Sequence, residues 1–303
     1  MEHLLSRMSR AAARGLWLVA WLACGLVAHG HASAQDAAAL KARHAALQDR
    51  LANNAFGRPL SLESAQTDSN LKGDIYSVVA YPFSRVGEAL RPVSHWCDIL
   101  ILHLNVKGCR SVGQDKVGML ALAVGKKYDQ PADDAYQLQF DYRVAAATAD
   151  YLRVQLSATE GPMGTNDYRI QLEAVPIDDK RSFIHMSYAY GFGFAARTAM
   201  QVYLGTIGRS KVGFSQEPGA DGKPTYVGGV LGLVERNTMR YYLAIDSYLD
   251  AYALPQGEQV ERRIQSWYDA TERYARQLHE MDEAEYLDMK RKEIQRQGPT
   301  EAK

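Results

Sequence analysis

Tyr136-Gln137-Leu138-Gln139-Phe140-Asp141-Tyr142-Arg143-Val144 alternates apolar and polar side chains without a slip. A period of two puts Tyr136, Leu138, Phe140, Tyr142 and Val144 on one face of a strand and the charged and amide residues on the other, the pattern of a sheet with one dry face and one wet face. The same period returns downstream. Leu152, Val154 and Leu156 oppose Arg153, Gln155 and Ser157, and Tyr168, Ile170, Leu172 and Ala174 oppose Arg169, Gln171 and Glu173. Gly161-Pro162 and Asp178-Asp179 punctuate these runs, and Ser182 to Tyr190 continues them. Such short connections specify antiparallel hairpins in a meander. Upstream, Val117 to Lys126 is apolar on both faces and reads as a further strand.

Outward from this core the period changes. Asp74 to Ala80 is rich in β-branched and aromatic residues and reads as a strand that Tyr81-Pro82 stops. Pro82 opens a helix through Leu90, and Pro92 divides it from a second short helix, Val93 to Ile101. Residues 36–52 carry Leu40, Leu47 and Leu51 at helical spacing, whereas 57–73, with Gly57, Pro59 and Gly73, read as a linker. After the sheet, Ala195 onward is helical with Met200, Tyr203, Leu204 and Ile207 on one stripe, and Val212 to Phe214 with Tyr226-Val227 reads as a small hairpin. Leu231 to Tyr252 is a long helix rich in Tyr and Leu. Pro255 ends it, and Val260 to Gln295 reads as one charged helix.

The fold class that follows is α+β: a helix-grip arrangement in which an antiparallel sheet wraps a long C-terminal helix, with N- and C-terminal helical extensions. This element order, with Tyr81-Pro82-Phe83 opening the first helix, resembles the START-like or SRPBCC superfamily over residues 70–255. The resemblance implies an apolar cavity between sheet and helix that holds a hydrophobic small molecule or lipid. The chain departs from that pattern between the sheet and Leu231, and again after Pro255. The block from Trp96-Cys97-Asp98 to Cys109, together with Gly164 to Arg169 and Glu235-Arg236-Asn237, is similar to a family of exported proteobacterial proteins, a likeness that implies no activity. The expected organisation is a signal peptide (1–34), an N-terminal helix and linker (35–69), the helix-grip domain (70–255) and a charged C-terminal helix and tail (256–303).

Arg7, Arg10 and Arg14 lead into the apolar run Gly15 to Val27, and Ala32-Ser33-Ala34 supplies a small-x-small cleavage site. About 13 apolar residues fall short of the roughly 20 a spanning helix needs, so cleavage before Gln35 is expected, and with it a periplasmic or secreted location. Cys24, in Trp21-Leu22-Ala23-Cys24, leaves lipidation as the alternative. Cys97 and Cys109 are the only other cysteines, an even count in an oxidising compartment, and are expected to form a disulfide, against the alternative of two buried thiols. With Lys+Arg and Asp+Glu at 35 each, the chain lacks the basic surplus that nucleic acid requires. No metal-ligand spacing accompanies the cysteines, and no cofactor is called for. Gly191-Phe192-Gly193-Phe194-Ala195-Ala196 mimics a dinucleotide fingerprint but follows a hairpin strand rather than opening a parallel βαβ unit.

Phe140, Tyr142, Tyr188 and Tyr190, with Tyr203 from the helix beyond, are positioned to line one concave surface. The alternative is plain core packing, but 18 Tyr against 7 Phe tilts the lining toward an amphipathic one. Trp96 and Asp98 join the candidate ligand-binding set. His103, Asn105 and Lys107 form a polar stripe if that segment is extended, either solvated or orienting a ligand head group. Arg236 and Arg240 lie one helical turn apart as a solvated face or an anchor for an anion. Three functions fit: reversible binding of an apolar small molecule or lipid; a cyclase- or isomerase-type enzyme with Asp98, His103 or His185 as acid-base groups; or an envelope interaction protein that presents Trp267, Tyr274 and Leu278 on the C-terminal helix to a partner.

Overall fold

The alternating runs become one eight-stranded antiparallel sheet. The computed structural model describes residues 34–297 apart from 115, 194–196, 199, 201, 203–204, 207–209 and 220–221. The export segment, Cys24 and Tyr203 lie outside the described residues. The strands are β1 (Leu60–Gln66), β2 (Asn70–Val79), β3 (Val106–Gln114), β4 (Val117–Val124), β5 (Tyr136–Ala147), β6 (Leu152–Glu160), β7 (Thr165–Pro176) and β8 (Ser182–Phe192), in the order β1-β2-β8-β7-β6-β5-β4-β3. Strands β3 to β8 are a continuous meander, and β2 closes against β8 with Ile75 opposite Met186. In β5, Leu138, Phe140 and Tyr142 are buried while Gln139, Asp141 and Arg143 are exposed, as the period of two requires. Tyr136 at the strand start is exposed instead.

The helices are α1 (34–46), α2 (Gln48–Ala52), α3 (Phe83–Leu90), α4 (Val93–Leu100), α5 (Gly229–Ala251), α6 (Gln256–Glu272), α7 (Ala275–Leu278) and α8 (Glu283–Gln297). Helix α5 packs against β1, β2 and β8 and buries Met239, Tyr242, Leu243 and Leu249. It sits hard on β2: a Cβ on Gly73 would lie 2.1 Å from Thr238 Oγ1, so only glycine permits this approach. Together the sheet and α5 make the helix-grip α+β fold. Among the described residues no helix is long and apolar enough to cross a membrane.

The wet face of the sheet is partly roofed. Ala37, Leu40, Leu47 and Leu51 of α1 and α2 pack on Tyr151, Val175 and Phe183. Beside this satellite core, His185 Nδ1 meets Glu173 Oε2 at 2.8 Å and its Nε2 meets Asp74 Oδ1 at 2.8 Å, with Tyr76 stacked on the ring at 4.3 Å. Burial lowers the imidazole pKa, but hydrogen bonds to and charges of the two carboxylates outweigh it, so the pKa is raised above 6.5. Burial likewise acts against the ionised carboxylates, and the imidazole contacts reverse it, leaving Asp74 below 3.8 and Glu173 below 4.5.

Four expectations are corrected. Residues 57–73 are not a linker: Leu60–Gln66 pairs with β2 as an edge strand, its Leu60 and Leu62 buried, so pairing and burial outweigh the turn residues around it. The charged helix from 260 to 295 is three helices, interrupted at 273–274 and again at 279–282, where Glu280 is drawn inward to Arg240 at 2.7 Å, Lys127 at 2.8 Å and Lys211 at 3.4 Å. The small hairpin runs longer than Val212 to Phe214: Gly213 N donates to Val227 O at 2.7 Å and Val227 N to Ser215 O at 2.9 Å, the ladder continues as Gln216–Pro218 against Pro224–Tyr226, and Glu235 accepts from the Phe214 and Ser215 amides and holds the stretch to α5. The Trp267, Tyr274 and Leu278 stripe turns inward. Trp267 is buried and donates to Arg240 O at 3.1 Å, Tyr274 donates to Phe56 O at 2.8 Å, and Leu278 is buried, so the surface expected for an envelope partner is consumed within the chain.

Helix α8 docks on edge strand β3 through a fully buried charge cluster. Lys107 Nζ pairs with Glu293 Oε1 at 2.8 Å, and Lys290 Nζ with Glu293 Oε2 at 2.7 Å. Burial pulls Lys290 down to about 8, with Glu293 resisting. Close by, Cys97 of α4 and Cys109 of β3 form the expected disulfide, with Cα atoms 5.2 Å apart.

Two outcomes are expected. The disulfide closes a loop between residues 12 apart, and its replacement by Cys97→Ala with Cys109→Ala should lower stability by about 2 to 3 kcal/mol in urea unfolding, while the wild type under denaturing, non-reducing conditions should yield no labelled thiol at either position. The raised His185 pKa contributes stability that is complete below 6.5 and lost as pH rises through the folded value. The lowered carboxylates contribute above 4.5 and lose it as pH falls. The stability difference between wild type and His185→Gln should therefore peak between about pH 4.5 and 6.5 and shrink on the alkaline side, as urea midpoints across pH would show.

Candidate functional site

Helix α5 stands against β1, β2 and β8, and a cavity of roughly 510 Å³ opens where its other side faces the rest of the sheet. The apolar wall comes from Leu122 and Val124 of β4, Leu138 and Phe140 of β5, and Ile170 of β7. The inward positions of the strands supply it directly: Leu138, Phe140 and Ile170 belong to the apolar sets of the period-two runs, and Leu122 and Val124 to the strand that is apolar on both faces. Tyr168, Tyr188 and Tyr190 add an aromatic side, with Tyr168 stacked on Tyr190 at 5.3 Å and Phe140 edge-on to Tyr168 at 6.2 Å. Helix α5 contributes Leu233, Asn237 and Tyr241, one turn apart from one another. Pro162 and Met163 from the β6–β7 connection, Thr165 at the start of β7, and Met200 also line it. Met163 is 70% exposed at a φ of 59°, so an apolar side chain stands in the left-handed region beside the cavity.

The polar groups gather where α4 runs into β3. His103 and Asn105 lie in the turn between these elements, and Asn105 Nδ2 donates to Gly125 O at 2.7 Å. The His103 ring stacks on Tyr241 at 4.9 Å. Its Nδ1 accepts from the Asn105 amide at 3.2 Å, which leaves the proton of the neutral ring on Nε2, and that buried atom has no hydrogen-bond partner among the described residues. Burial, and then the positive charges of Arg240, Lys290, Lys127 and Lys107, push the His103 pKa well below 6.5, so the ring is a neutral donor. Burial also raises the phenol pKa values of Tyr188, Tyr190 and Tyr241, which keeps all three protonated. No carboxylate lines the cavity among the described residues.

Of the candidate residues, His103, Phe140, Tyr188 and Tyr190 meet at this cavity. The others are engaged elsewhere. Trp96 is buried in the core and donates to Leu90 O at 2.8 Å, and Tyr142, two residues along β5 from Phe140, donates to Arg91 O. Asp98 pairs with Arg263 of α6 at 2.7 Å. Arg236 donates to Val212 O at 3.1 Å, and Arg240 to Leu278 O at 3.3 Å and to Glu280, because that face of α5 meets the 212 segment and the α7–α8 connection rather than the cavity. His103, Asn105 and Lys107 do not form one stripe. The first two lie in a turn, and Lys107 begins the buried cluster with Glu293. His185 lies on the opposite face of the sheet with both nitrogens occupied. The acid-base set Asp98, His103 and His185 therefore does not converge.

Tyr168, Asn237 and Tyr241 were missed, though each had a signal. Tyr168 belongs to the inward set of its strand, and Leu233, Asn237 and Tyr241 repeat every four residues one position beyond the Arg236 and Arg240 pair.

No protein-family model matches the chain, and no curated protein matches it in sequence. Among solved structures it is similar to human StAR-related lipid transfer protein 5, at 9% identity over 73% of this chain and 98% of that one, with a TM-score of 0.35. It is also similar to a STAR-related lipid transfer protein from Xanthomonas axonopodis, at 12% identity over 51% and 89% with a TM-score of 0.35, and to norcoclaurine synthase from Thalictrum flavum, at 12% identity over 47% and 90% with a TM-score of 0.32. Scores at this level say nothing of ligand or activity. The helix-grip class rests on the strand order and on α5.

Proposed function

We propose that this chain is an exported protein that reversibly binds a hydrophobic small molecule or lipid between the sheet and α5, without covalent chemistry. The observation that supports the reading is the cavity itself: roughly 510 Å³, walled by Leu122, Leu138, Phe140 and Ile170, with a few polar groups at one end. A preformed apolar cavity with sparse convergent polar groups is how proteins hold small amphiphiles. The apolar wall supplies affinity through burial, at about 25 cal/mol per Å² of surface removed from water, and the polar end sets orientation. Export accords with the signal-like N-terminal segment and the disulfide, and an envelope location would supply ligands of this kind.

Nile red, a neutral dye of suitable size, tests this. Its emission should shift to the blue and saturate with the protein, and an envelope lipid extract should displace it. Leu233→Trp places a larger side chain into the cavity from the half-buried side of α5 and should weaken dye binding at least about tenfold with little loss of stability. Equal dye affinity in wild type and Leu233→Trp would remove the cavity as the binding site.

A further inference from the structure

Resting on that reading, we infer that the ligand is an amphiphilic carboxylic acid whose carboxylate lies at the end of the cavity formed by His103 and Tyr241, with its hydrocarbon part against Leu138, Phe140 and Ile170. His103 is 5% exposed, lines the cavity, and leaves Nε2 without a partner among the described residues. A buried donor in that state costs stability unless a ligand acceptor completes it. Tyr241 stacks on the imidazole at 4.9 Å and Tyr188 meets Tyr241 at 5.1 Å, so both tyrosines belong to the same wall as His103.

Charge selects an anion over a neutral acceptor. Behind His103, Arg240, Lys127 and Lys211 share the single carboxylate of Glu280, and Lys107 and Lys290 share that of Glu293. Among the described residues cations outnumber carboxylates in both clusters; the Glu293 cluster is fully buried, and in the Glu280 cluster Arg240 and Glu280 are nearly so while Lys127 and Lys211 reach solvent. Lys290 also donates to His103 O at 2.8 Å and Val106 O at 3.1 Å, and Tyr286 to Leu102 O at 3.0 Å, so α8 fixes the turn that presents the imidazole. A carboxylate there meets a hydrogen-bond donor and a positive field together, which is what burial of an anion demands. The corresponding alcohol gains only the hydrogen bond.

Displacement of Nile red by laurate and by 1-dodecanol, chains of equal length, separates the possibilities. Laurate should bind wild type at least about tenfold more tightly than dodecanol. That gap should close in His103→Phe, and it should narrow in Tyr241→Phe, which retains the ring if the first variant folds poorly. Equal affinity of the two probes for wild type, or a gap that survives both variants, would overturn the carboxylate assignment and leave the binding function standing. Displacement by neither chain would overturn it as well, and failure of Nile red itself to bind would remove the underlying function.

Discussion

The contact between Gly73 and Thr238 governs the architecture. Helix α5 can sit tightly on β2 only because no Cβ stands between them, and Thr238 is itself tied back to Val234 O at 2.7 Å, so it does not yield. A rigid helix seated hard at one side of a curved sheet cannot follow the sheet to the other side. The space left over β4, β5 and β7 is lined by the same inward-facing residues that would otherwise have packed on the helix. Cavity and core are thus two outcomes of one apolar face, separated by how closely the helix approaches.

The second organising feature is electrostatic. Behind the turn that carries His103, Lys107 of β3, Arg240 of α5 and Lys290 of α8 are buried against Glu293 and Glu280 of the C-terminal segment. Such clusters are expensive to bury, since each ion forfeits its hydration. Their hydrogen bonds to His103 O, Val106 O and Leu278 O show how that cost is offset by backbone acceptors. Burial and these charges keep the imidazole neutral, and the Lys290 bond to His103 O holds its turn in place. On the other face of the sheet, His185 is bracketed by Asp74 and Glu173, which raise its pKa, and it fastens strands β2, β7 and β8. One residue type is thus shifted in two directions, down at His103 by burial and nearby cations and up at His185 by two carboxylates.

Much of this was legible in the chain. The period of two in β5 to β8, the prolines at 82, 92 and 255, and the even cysteine count led to the sheet, the helix boundaries and the disulfide because each acts locally. Edge strands β1 and β3 were hidden for the same reason. Strand β1 mixes serine and charge with its leucines and β3 adds glycine, and only pairing with β2 and β4 makes them strands. The site was half legible: strand-borne Phe140, Tyr188 and Tyr190 follow from alternation, whereas Arg236 and Arg240 were misplaced because helical spacing fixes which residues share a face, not what that face meets. The partners of Asp98 and Lys107 lie more than 150 residues away, at Arg263 and Glu293, and no local pattern announces them.

The central claim is that the gap between α5 and the sheet holds a small apolar molecule. Native mass spectrometry of the full chain after incubation with an envelope lipid extract tests it most directly. The account predicts a one-to-one adduct that organic extraction removes and returns chemically unchanged. A spectrum showing only the unliganded mass, across extracts that supply acids, neutral lipids and phospholipids, would contradict it.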